Sequence, residues 1–376
     1  MKALFYIHSL NIGGAEMIVS EYMIELKKQG ISVVLVVNQK CSSFLEKKVI
    51  QNNIPIYALF APINNKILFK INNICHEKVL GYAHRWNEIL AIEKPDIIHI
   101  HTWVDTMKNI NFPANKMVYT FHADVNRSLK LSSSNNRNIL TDLAKKGMCF
   151  SVLSQHAKED VEKIIKTKNV RVIPNSINIK EIQNNKIEKH VLCEKYGVNE
   201  ECFIVGHVGR LHPIKNHERL LKIFAEIHKK KRNSILVLVG DDVDDRRKKL
   251  ENIASEYKID DCVFFLGQRQ DARAIIGCFD VFILPSFSEC FPMVLLEAQV
   301  LGKKCIVTDC VPDEVICSNK CVRMSLEASD KIWAEAALDD SITSEKYRDI
   351  TELEIHSVTK KLVEYYFDIC NSRYIL

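Results

Sequence analysis

Two glutamates in SFSECFPMVLLEAQV, residues 286–300, are spaced so that they could bind a ligand rich in hydroxyl groups. Glu289 follows the apolar run VFILPS, and Glu297 lies eight positions later in the next apolar run, with Pro292 between them. An ionised carboxylate accepts hydrogen bonds through two oxygens, so each glutamate could hold two hydroxyl protons. Solvated glutamates near the start of a helix would give the same pattern. The spacing alone therefore leaves a ligand site and a solvated helix both open.

The proline between the glutamates predicts where a helix begins. The apolar pattern indicates a strand in VFILPS, a turn in SECF and a helix in PMVLLEAQVLG that ends at Gly302. Pro292 suits the first helical turn, because the N–H that it lacks would have no partner there. Met293, Val294 and Leu295 would then carry free N–H groups directed ahead of the helix, a setting that favours an anion.

Two cations in GRLHPIKN, residues 209–216, form a second candidate site. Arg210 and Lys215 follow the strand FIVGHVGR and precede a helix. Ligands of open α/β sheets bind outside the carboxyl ends of the strands. Arg as a planar fork and Lys as a point charge could there neutralise a diphosphate. A loop with two solvated surface cations is the alternative.

A glycine pair and a histidine mark the first half of the chain. Gly13 and Gly14 follow the first strand and open a helix, where glycines allow close approach and the helix start favours an anion. A tight turn between strand and helix is the alternative. The pattern is not GxGxxG, and the second strand ends at Asn38 rather than at an acidic residue, which argues against a dinucleotide site. His122, at the end of KMVYTFHA, is predicted to face a ligand cleft.

No metal site is predicted. Asp242 and Asp244 match a DxD pattern, but they run directly into RRKK, so a solvated loop is favoured. His99, His101 and His122 lack supporting carboxylates or cysteines at ligand spacing. The thirteen cysteines contain no CxxC pair, and several lie in apolar strands, as small buried residues do. Reduced thiols fit this usage better than a zinc site.

Alternation of strands and helices predicts an α/β fold with two doubly wound domains. The 376 residues exceed the roughly 250 to 300 at which single cores stop growing. Apolar strands alternate with helical stretches from end to end, which is typical of parallel sheets with helices on both faces. We expect one Rossmann-like domain over 1–174 and a second over 175–351. A last helix, about 352–376, is expected to pack back on the first domain.

Charge and hydropathy limit the binding partners and the cellular location that we expect. Residues 1–175 contain 23 Lys+Arg and 14 Asp+Glu, whereas the remaining residues contain 29 and 33. The basic first half suggests an anionic partner such as a membrane surface, or else simply a solvated lysine-rich surface. No zinc-finger spacing or aromatic-and-basic signature indicates nucleic acid. The N-terminal MKALFYIHSL is interpreted as a strand rather than a signal peptide. We expect a cytoplasmic protein, bound at most peripherally to the inner face of the membrane.

Taken together, these segments resemble the retaining, nucleotide-sugar-dependent glycosyltransferases of the GT-B fold, family 4 type. Nine motifs match in order through nearly the whole chain. They are IGGAE (12–16), KPDIIHIH (94–101), VYTFHAD (118–124), VIPNSIN (172–178), VGRLHPIKN (208–216), LVGDD (238–242), FLGQRQD (265–271), ILPSFSECFPMVLLEA (283–298) and TDCVPDEV (308–315). The resemblance implies two Rossmann-like domains that face each other across a cleft.

The resemblance assigns roles to the charged residues. Glu289 looks like the first glutamate of the E-x7-E motif, which holds hydroxyls of the donor sugar. Glu297 looks like the second, which holds the ribose of the nucleotide. Arg210 and Lys215 match the pair that binds the diphosphate, and both are expected to take part in catalysis, as is Glu289.

Other positions follow by the same resemblance. Gly14, with Gly13, matches the glycine loop that faces the phosphates and the reacting sugar. His122 matches a histidine that contacts the donor sugar and supports the reacting centre. Gln268 and Arg269 fall where the family cradles the nucleobase.

The turn before the helix departs from the family at one position. Most members have Gly where this chain has Cys290, so a Cβ now sits where the backbone approaches the sugar. The sugar pocket is therefore expected to be tighter or differently shaped. The other donor-binding residues expected here are Phe291, Pro292, Met293 and Val294.

The implied activity is transfer of a hexose or N-acetylhexosamine, with retention of configuration, from a UDP-linked sugar to a carbohydrate or lipid-linked acceptor in cell-surface polysaccharide synthesis. The cations would replace a metal, so neither a cofactor nor a divalent ion is expected. Two alternatives stay open: a UDP-sugar 2-epimerase of the same fold, and a catalytically silent partner that binds nucleotide sugars.

Overall fold

The computed structural model describes residues 1–11, 13–60, 81–102, 104–107, 110–131 and 134–371. The chain divides into two compact units, Met1–Ser176 with Ile355–Leu376, and Ile177–Glu354. These divisions fall two and three residues after the predicted boundaries. The last five residues of the predicted C-terminal helix, 372–376, and Ile12 of the first motif lie outside the described residues.

The first unit contains a parallel sheet with the strand order β3-β2-β1-β4-β5-β6-β7. Its strands are β1 Lys2–Ile7, β2 Ser32–Val37, β3 Ile56–Ala58, β4 Ile97–Ile100, β5 Met117–Thr120, β6 Cys149–Val152 and β7 Val170–Val172. Its helices are α1 Gly14–Lys28, α2 Phe44–Gln51, α3 Gly81–Glu93, α4 Val125–Leu131, α5 Ser134–Lys145, α6 Gln155–Ile164 and, from the far end of the chain, α14 Ile355–Cys370.

The second unit contains a parallel sheet with the strand order β10-β9-β8-β11-β12-β13. Its strands are β8 Phe203–Val208, β9 Ser234–Val239, β10 Val263–Phe265, β11 Val281–Leu284, β12 Lys304–Thr308 and β13 Cys321–Met324. Its helices are α7 Ile179–Asn184, α8 Lys189–Tyr196, α9 His217–Lys230, α10 Arg246–Glu256, α11 Ala272–Ile275, α12 Met293–Val300 and α13 Asp330–Leu338.

The strands form because short apolar runs are covered on both faces. Strands β4, β6, β9, β11 and β12 are buried at every position, as central strands of parallel sheets are. The predicted α/β class with two doubly wound sheets is therefore confirmed.

Helix α14 packs in the first unit, although it is the last element of the chain. Thr359 accepts a hydrogen bond from the Gln29 amide at 2.6 Å, and the Tyr365 hydroxyl donates to the Phe150 carbonyl oxygen at 2.9 Å. The helix thus packs against the first unit, and the residue order alone does not indicate which residues it contacts.

Each sheet reverses its strand order at one point. Strands beside these points precede Gly13 and Gly14, Arg210 and Lys215, and Glu289, whereas strands farther out precede His122, Gln268 and Arg269. The reversal lies between β1 and β4 in the first unit and between β8 and β11 in the second. Ligands of open α/β sheets bind at such points, outside the carboxyl ends of the strands. Both units therefore offer a binding edge, and each is described below by itself.

Candidate functional site

In the second unit the segment after β8 carries both predicted phosphate-binding cations. Arg210 is exposed, and no carboxylate pairs with it among the described residues. Pro213–Lys215 forms a single 3-10 turn whose start is capped by the His212 ring, which accepts from the Ile214 N–H at 3.2 Å. The turn fixes the backbone of Lys215 at the end of the loop.

Lys215 forms an ion pair with Glu289. Its Nζ lies 2.7 Å from Glu289 Oε1, and the glutamate side chain is only 7% exposed. The loops after β8 and β11 meet in this pair, at the reversal of the sheet. The structure thus brings the predicted diphosphate-binding cation and the predicted sugar-binding carboxylate into direct contact.

Glu297 also has a cationic partner, which the residue pattern did not indicate. Glu297 lies in α12 and is buried, and its Oε1 lies 2.6 Å from Nε of Arg273 in α11. Arg273 lies two residues after the FLGQRQD motif, and a cation near the predicted nucleobase segment is the signal that the sequence offers. One oxygen of each glutamate is therefore already engaged by a cation, and Oε2 of each accepts no hydrogen bond within the described part of the chain.

The helix between the glutamates begins one residue later than predicted. Pro292 is the N-cap residue, with an extended ψ of 105°, and α12 starts at Met293. The prediction of a free N–H on Leu295 is wrong, because that N–H donates to the Pro292 carbonyl oxygen at 3.1 Å. The N–H groups of Met293 and Val294 have no acceptor within the described part of the chain.

Two cysteines lie at the turn that carries Glu289. Cys290 is half-buried and Phe291 beside it is buried. Cys310, which was not singled out from the sequence, donates from its thiol to the Ser286 carbonyl oxygen at 3.4 Å. Burial raises the pKa of the Cys310 thiol, and the nearby Glu289 carboxylate raises it further. The Cys310 thiol therefore stays protonated beside the Glu289 turn.

The predicted nucleobase segment follows β10. Gln268 is exposed, and Arg269 grips Asp271 through two hydrogen bonds of 2.7 and 2.6 Å. The hydrogen bond from Arg269 keeps the pKa of Asp271 below its usual range. The Arg269 side chain is therefore held in place by a neighbour two residues away.

In the first unit the glycine pair joins β1 to α1. Gly13 is the N-cap residue in an extended conformation, and Gly14 is the exposed first residue of the helix. A Cβ at Gly13 would collide with the Glu16 carboxylate, whereas a Cβ at Gly14 would meet nothing within 4 Å. A side chain at 13 would thus require only the flexible end of Glu16 to move, and there is open space at 14.

His122 follows β5 and lies against a second histidine. Its Nε2 is 2.9 Å from Nδ1 of His101, which follows β4. The residue keeps part of its surface exposed, yet its Nδ1 atom is buried and has no hydrogen-bond partner among the described residues. Burial of the ring lowers the pKa of His122 to about 4. His122 is therefore a neutral imidazole at pH 7.

The residues weighed as metal ligands have other contacts. Asp242 accepts from the Arg247 N–H at 3.1 Å and so helps to begin α10. His99 hydrogen-bonds to Tyr366 and to Thr120. Within the described ranges no three His, Cys, Asp or Glu side chains cluster as metal ligands, and no helix there is long and apolar enough to cross a membrane.

Two family models match the chain. Residues 189–352 match "Glycosyl transferases group 1", and residues 12–181 match "Glycosyltransferase Family 4". Together the matches take in both units, each of which carries a doubly wound sheet. The chain therefore belongs to the group 1, family 4 glycosyltransferases.

Similar proteins carry related names. The glycosyltransferase EpsF of Bacillus subtilis is 32% identical over 172 residues, which are 44% of this chain and 43% of that protein. The UDP-Gal:α-D-GlcNAc-diphosphoundecaprenol α-1,3-galactosyltransferase of Escherichia coli is 30% identical over 166 residues, which are 43% of this chain and 42% of that protein. The chain thus aligns with less than half the length of these two relatives.

A solved structure matches along nearly the whole chain. Anabaena Alr3699/HepE in complex with UDP superposes with a TM-score of 0.69 at 20% identity, covering 99% of this chain and 98% of that one. At this identity the match establishes the GT-B fold and no more.

Proposed function

We propose that the protein is a retaining glycosyltransferase that moves a hexose or N-acetylhexosamine from a UDP-linked sugar to a carbohydrate or lipid-linked acceptor. The observation that carries the proposal is the constellation at the reversal of the second sheet. There an exposed Arg210, the Lys215–Glu289 pair and the start of α12 converge in one unit.

The cations would act on the leaving diphosphate. Arg210 has no competing carboxylate among the described residues, and Lys215 is held at the same edge by Glu289. The N–H groups of Met293 and Val294 add fixed dipoles at the start of α12. Such preorganised donors are worth about 3 kcal/mol each to a transition state in which charge develops on a leaving group. These groups make a divalent ion unnecessary in the proposal.

The two glutamates would hold the two ends of the donor. Glu289 stands in the turn, and its remaining oxygen would accept from sugar hydroxyls. Glu297 stands within α12, and its remaining oxygen would accept from the ribose. Because each carboxylate already has a cation on one oxygen, the ligand does not have to orient it.

The remaining predicted residues fit subsidiary roles. Gln268 and Arg269 would line the nucleobase. For Gly13, Gly14 and His122 we keep the phosphate and sugar contacts that the family resemblance implies. Cys290 and Phe291 would bound the sugar pocket at the turn.

The relatives support the choice of donor and acceptor. HepE was crystallised with UDP and also with UDP-glucose, and the Escherichia coli relative is named for transfer from UDP-Gal to a diphosphoundecaprenol-linked sugar. A lipid-linked acceptor also suits the basic first half of the chain, which would favour an anionic membrane surface. We therefore place the activity in cell-surface polysaccharide synthesis, at the inner face of the cytoplasmic membrane.

The decisive experiment is a panel of nucleotide sugars. A tight donor raises Tm by mass action, so UDP-sugars should raise Tm more than GDP- or ADP-sugars. The stabilising donor is then incubated with lipid-linked and free saccharide acceptors, with and without EDTA. Transfer that survives EDTA supports the proposal. Turnover of the donor to its 2-epimer would favour the epimerase, and tight binding with neither transfer nor hydrolysis would favour a silent binding protein.

A further inference from the structure

A chain of hydrogen bonds runs from the interior of the first unit to an exposed histidine. Thr106 donates from its hydroxyl to the Tyr6 hydroxyl oxygen at 2.9 Å, and the Tyr6 hydroxyl donates to Asn38 Oδ1 at 2.7 Å. The Asn38 amide nitrogen lies 3.0 Å from Nδ1 of His8. Thr106 and Tyr6 are buried, Asn38 is half-buried and His8 is exposed. The chain of hydrogen bonds therefore ties a surface side chain to the core.

Asn38 holds His8 at two points. Its backbone N–H donates to the His8 carbonyl oxygen at 3.0 Å, and its side chain reaches the ring. The second ring nitrogen, His8 Nε2, forms no hydrogen bond or ion pair within the described part of the chain. Ordering a mobile side chain is one of the costs of binding a ligand. That cost is reduced at His8, because its ring is already held while Nε2 is still open to a partner.

The hydrogen-bonded chain spans the point at which the first sheet reverses its strand order. His8 directly follows β1, Asn38 directly follows β2, and Thr106 lies in a 3-10 turn, Asp105–Met107, after β4. Strands β1 and β4 flank the reversal. Ligands of open α/β sheets bind at such points, outside the carboxyl ends of the strands. His8 is therefore an exposed hydrogen-bonding group fixed where the fold favours a ligand.

We propose that His8 is a ligand-binding residue of the first unit, which hydrogen-bonds through Nε2 to a saccharide hydroxyl, and that Asn38 is its positioning residue. Turning the Asn38 amide over would exchange donor and acceptor between Asn38 and His8, and so would change whether Nε2 carries a proton or a lone pair. A hydroxyl group both donates and accepts, so it pairs with Nε2 in either arrangement. The saccharide belongs to the donor or to the acceptor, and the test separates these two sources.

The choice of a saccharide rests on the proposed function, whereas the placement of His8 follows from contacts within the first unit. The proposed function fails if UDP-sugars neither bind nor are turned over. The inference about His8 fails if saccharide binding leaves its ring unaffected. The two results come from different measurements, so either idea can fail without the other.

The binding test is 15N NMR of the full chain labelled at histidine, in which the His8 signal is identified by its loss in His8→Asn. The probes are the UDP-sugar that raises Tm most, UDP alone, N-acetylglucosamine joined through a diphosphate to a short-chain lipid, and the same lipid diphosphate without its sugar. The His8 signal should shift with one sugar-bearing probe and not with its sugar-free counterpart, which identifies the source of the hydroxyl. Equal shifts with and without the sugar, or no shift with any probe, would overturn the proposal.

Two substitutions separate the two ring nitrogens of His8. An Asn amide reaches about as far as ring Nδ1, whereas a Gln amide reaches the place of Nε2. His8→Asn should therefore lower kcat/KM for the substrate found by NMR about tenfold, as loss of one hydrogen bond does, and His8→Gln should retain most of the activity. Tm should stay unchanged in both variants, because His8 is exposed. The matched control is His156→Asn, an exposed position of the same unit after β6, which should keep the full kcat/KM.

Asn38→Leu tests the positioning role. It keeps a side chain of similar size and removes both polar atoms, so His8 is released and kcat/KM should fall. If Asn38 acts through His8, the same substitution should have little further effect in the His8→Asn background. A merely structural role would lower activity equally in both backgrounds. Additive losses would overturn the role of Asn38, and an unchanged kcat/KM in His8→Asn would overturn the role of His8.

Discussion

Lys215 Nζ lies 2.7 Å from Glu289 Oε1, so the cation expected to bind the diphosphate and the carboxylate expected to bind the sugar neutralise each other. The pair has two consequences for the donor site. Lys215 is held in place before a diphosphate arrives, and the buried Glu289 carboxylate does not lie unpaired. A donor would therefore meet a Lys215 that is already oriented. Arg210, by contrast, has no carboxylate partner among the described residues.

Removing the carboxylate should separate transfer from nucleotide binding. In Glu289→Gln the sugar loses a charged acceptor, and we expect transfer to fall about a hundredfold. UDP should bind as well as before or more tightly, because Lys215 is released from its partner. Calorimetric titration with UDP and a transfer assay measure the two effects. Glu327→Gln, an exposed position in the same unit, serves as the control. An unchanged rate of transfer in Glu289→Gln would contradict the proposed sugar-binding role of Glu289.

Removing the lysine should act on the diphosphate and not on the nucleoside. Lys215→Ala should weaken UDP binding by about 2 kcal/mol, or roughly thirtyfold, through loss of charge-assisted hydrogen bonds. Binding of uridine should hardly change. Equal losses for UDP and uridine would contradict the assignment to the diphosphate.

The same variant should lower stability, because it leaves a carboxylate that is 7% exposed without its cation. The double variant Lys215→Ala/Glu289→Gln should recover part of that loss, since neither partner is then left charged and alone. A Tm for the double variant below that of both single variants would mean that the pair does not act as a unit.

Substitution of Arg273 should affect ligand affinity differently from substitution of Lys215. Its Nε lies 2.6 Å from Glu297 Oε1, so it orients the carboxylate proposed to hold the ribose. Arg273→Gln should therefore weaken the binding of UDP and the binding of uridine by similar factors, about tenfold each. Titration with both ligands tests this, and Arg232→Gln is an exposed control in the same unit. A loss of affinity for UDP alone would indicate that Arg273 contacts the phosphates instead.

The residue pattern predicted which strands carry the site, but it could not predict the contacts between the loops. Apolar runs and the ligand rule for α/β sheets place Arg210, Lys215 and Glu289 at strand ends, and the structure has them there. The partners depend on contacts between residues far apart in the chain. Lys215 and Glu289 are 74 positions apart, and Arg273 and Glu297 are 24 apart.

The histidine network escaped prediction for a related reason. By residue type His101 and His122 are candidate metal ligands, and nothing in the residue order indicates that their rings pair. Their pairing requires β4 and β5 to be neighbours in register, with Ile100 opposite Tyr119. A period-two pattern gives the face of each side chain but not which strands are adjacent, so the contact was not available from the residues alone.

Buried histidines should make the protein less stable in mildly acidic solution. Burial lowers the pKa of His207, in β8, to about 4, whereas an unfolded histidine has a pKa near 6.5. Above pH 7 both states leave the ring neutral, so its contribution is fully present. As pH falls from about 6.5 towards 4, only the unfolded chain takes up the proton, and stability is lost, by about 2 kcal/mol at pH 5 for one such ring.

His207→Asn keeps a donor for the Ile283 carbonyl oxygen and cannot titrate, so its Tm should fall less between pH 7 and pH 5. His190→Asn, at an exposed position, should follow the unsubstituted protein, and equal acid sensitivity in all three proteins would exclude His207 as a source of the effect.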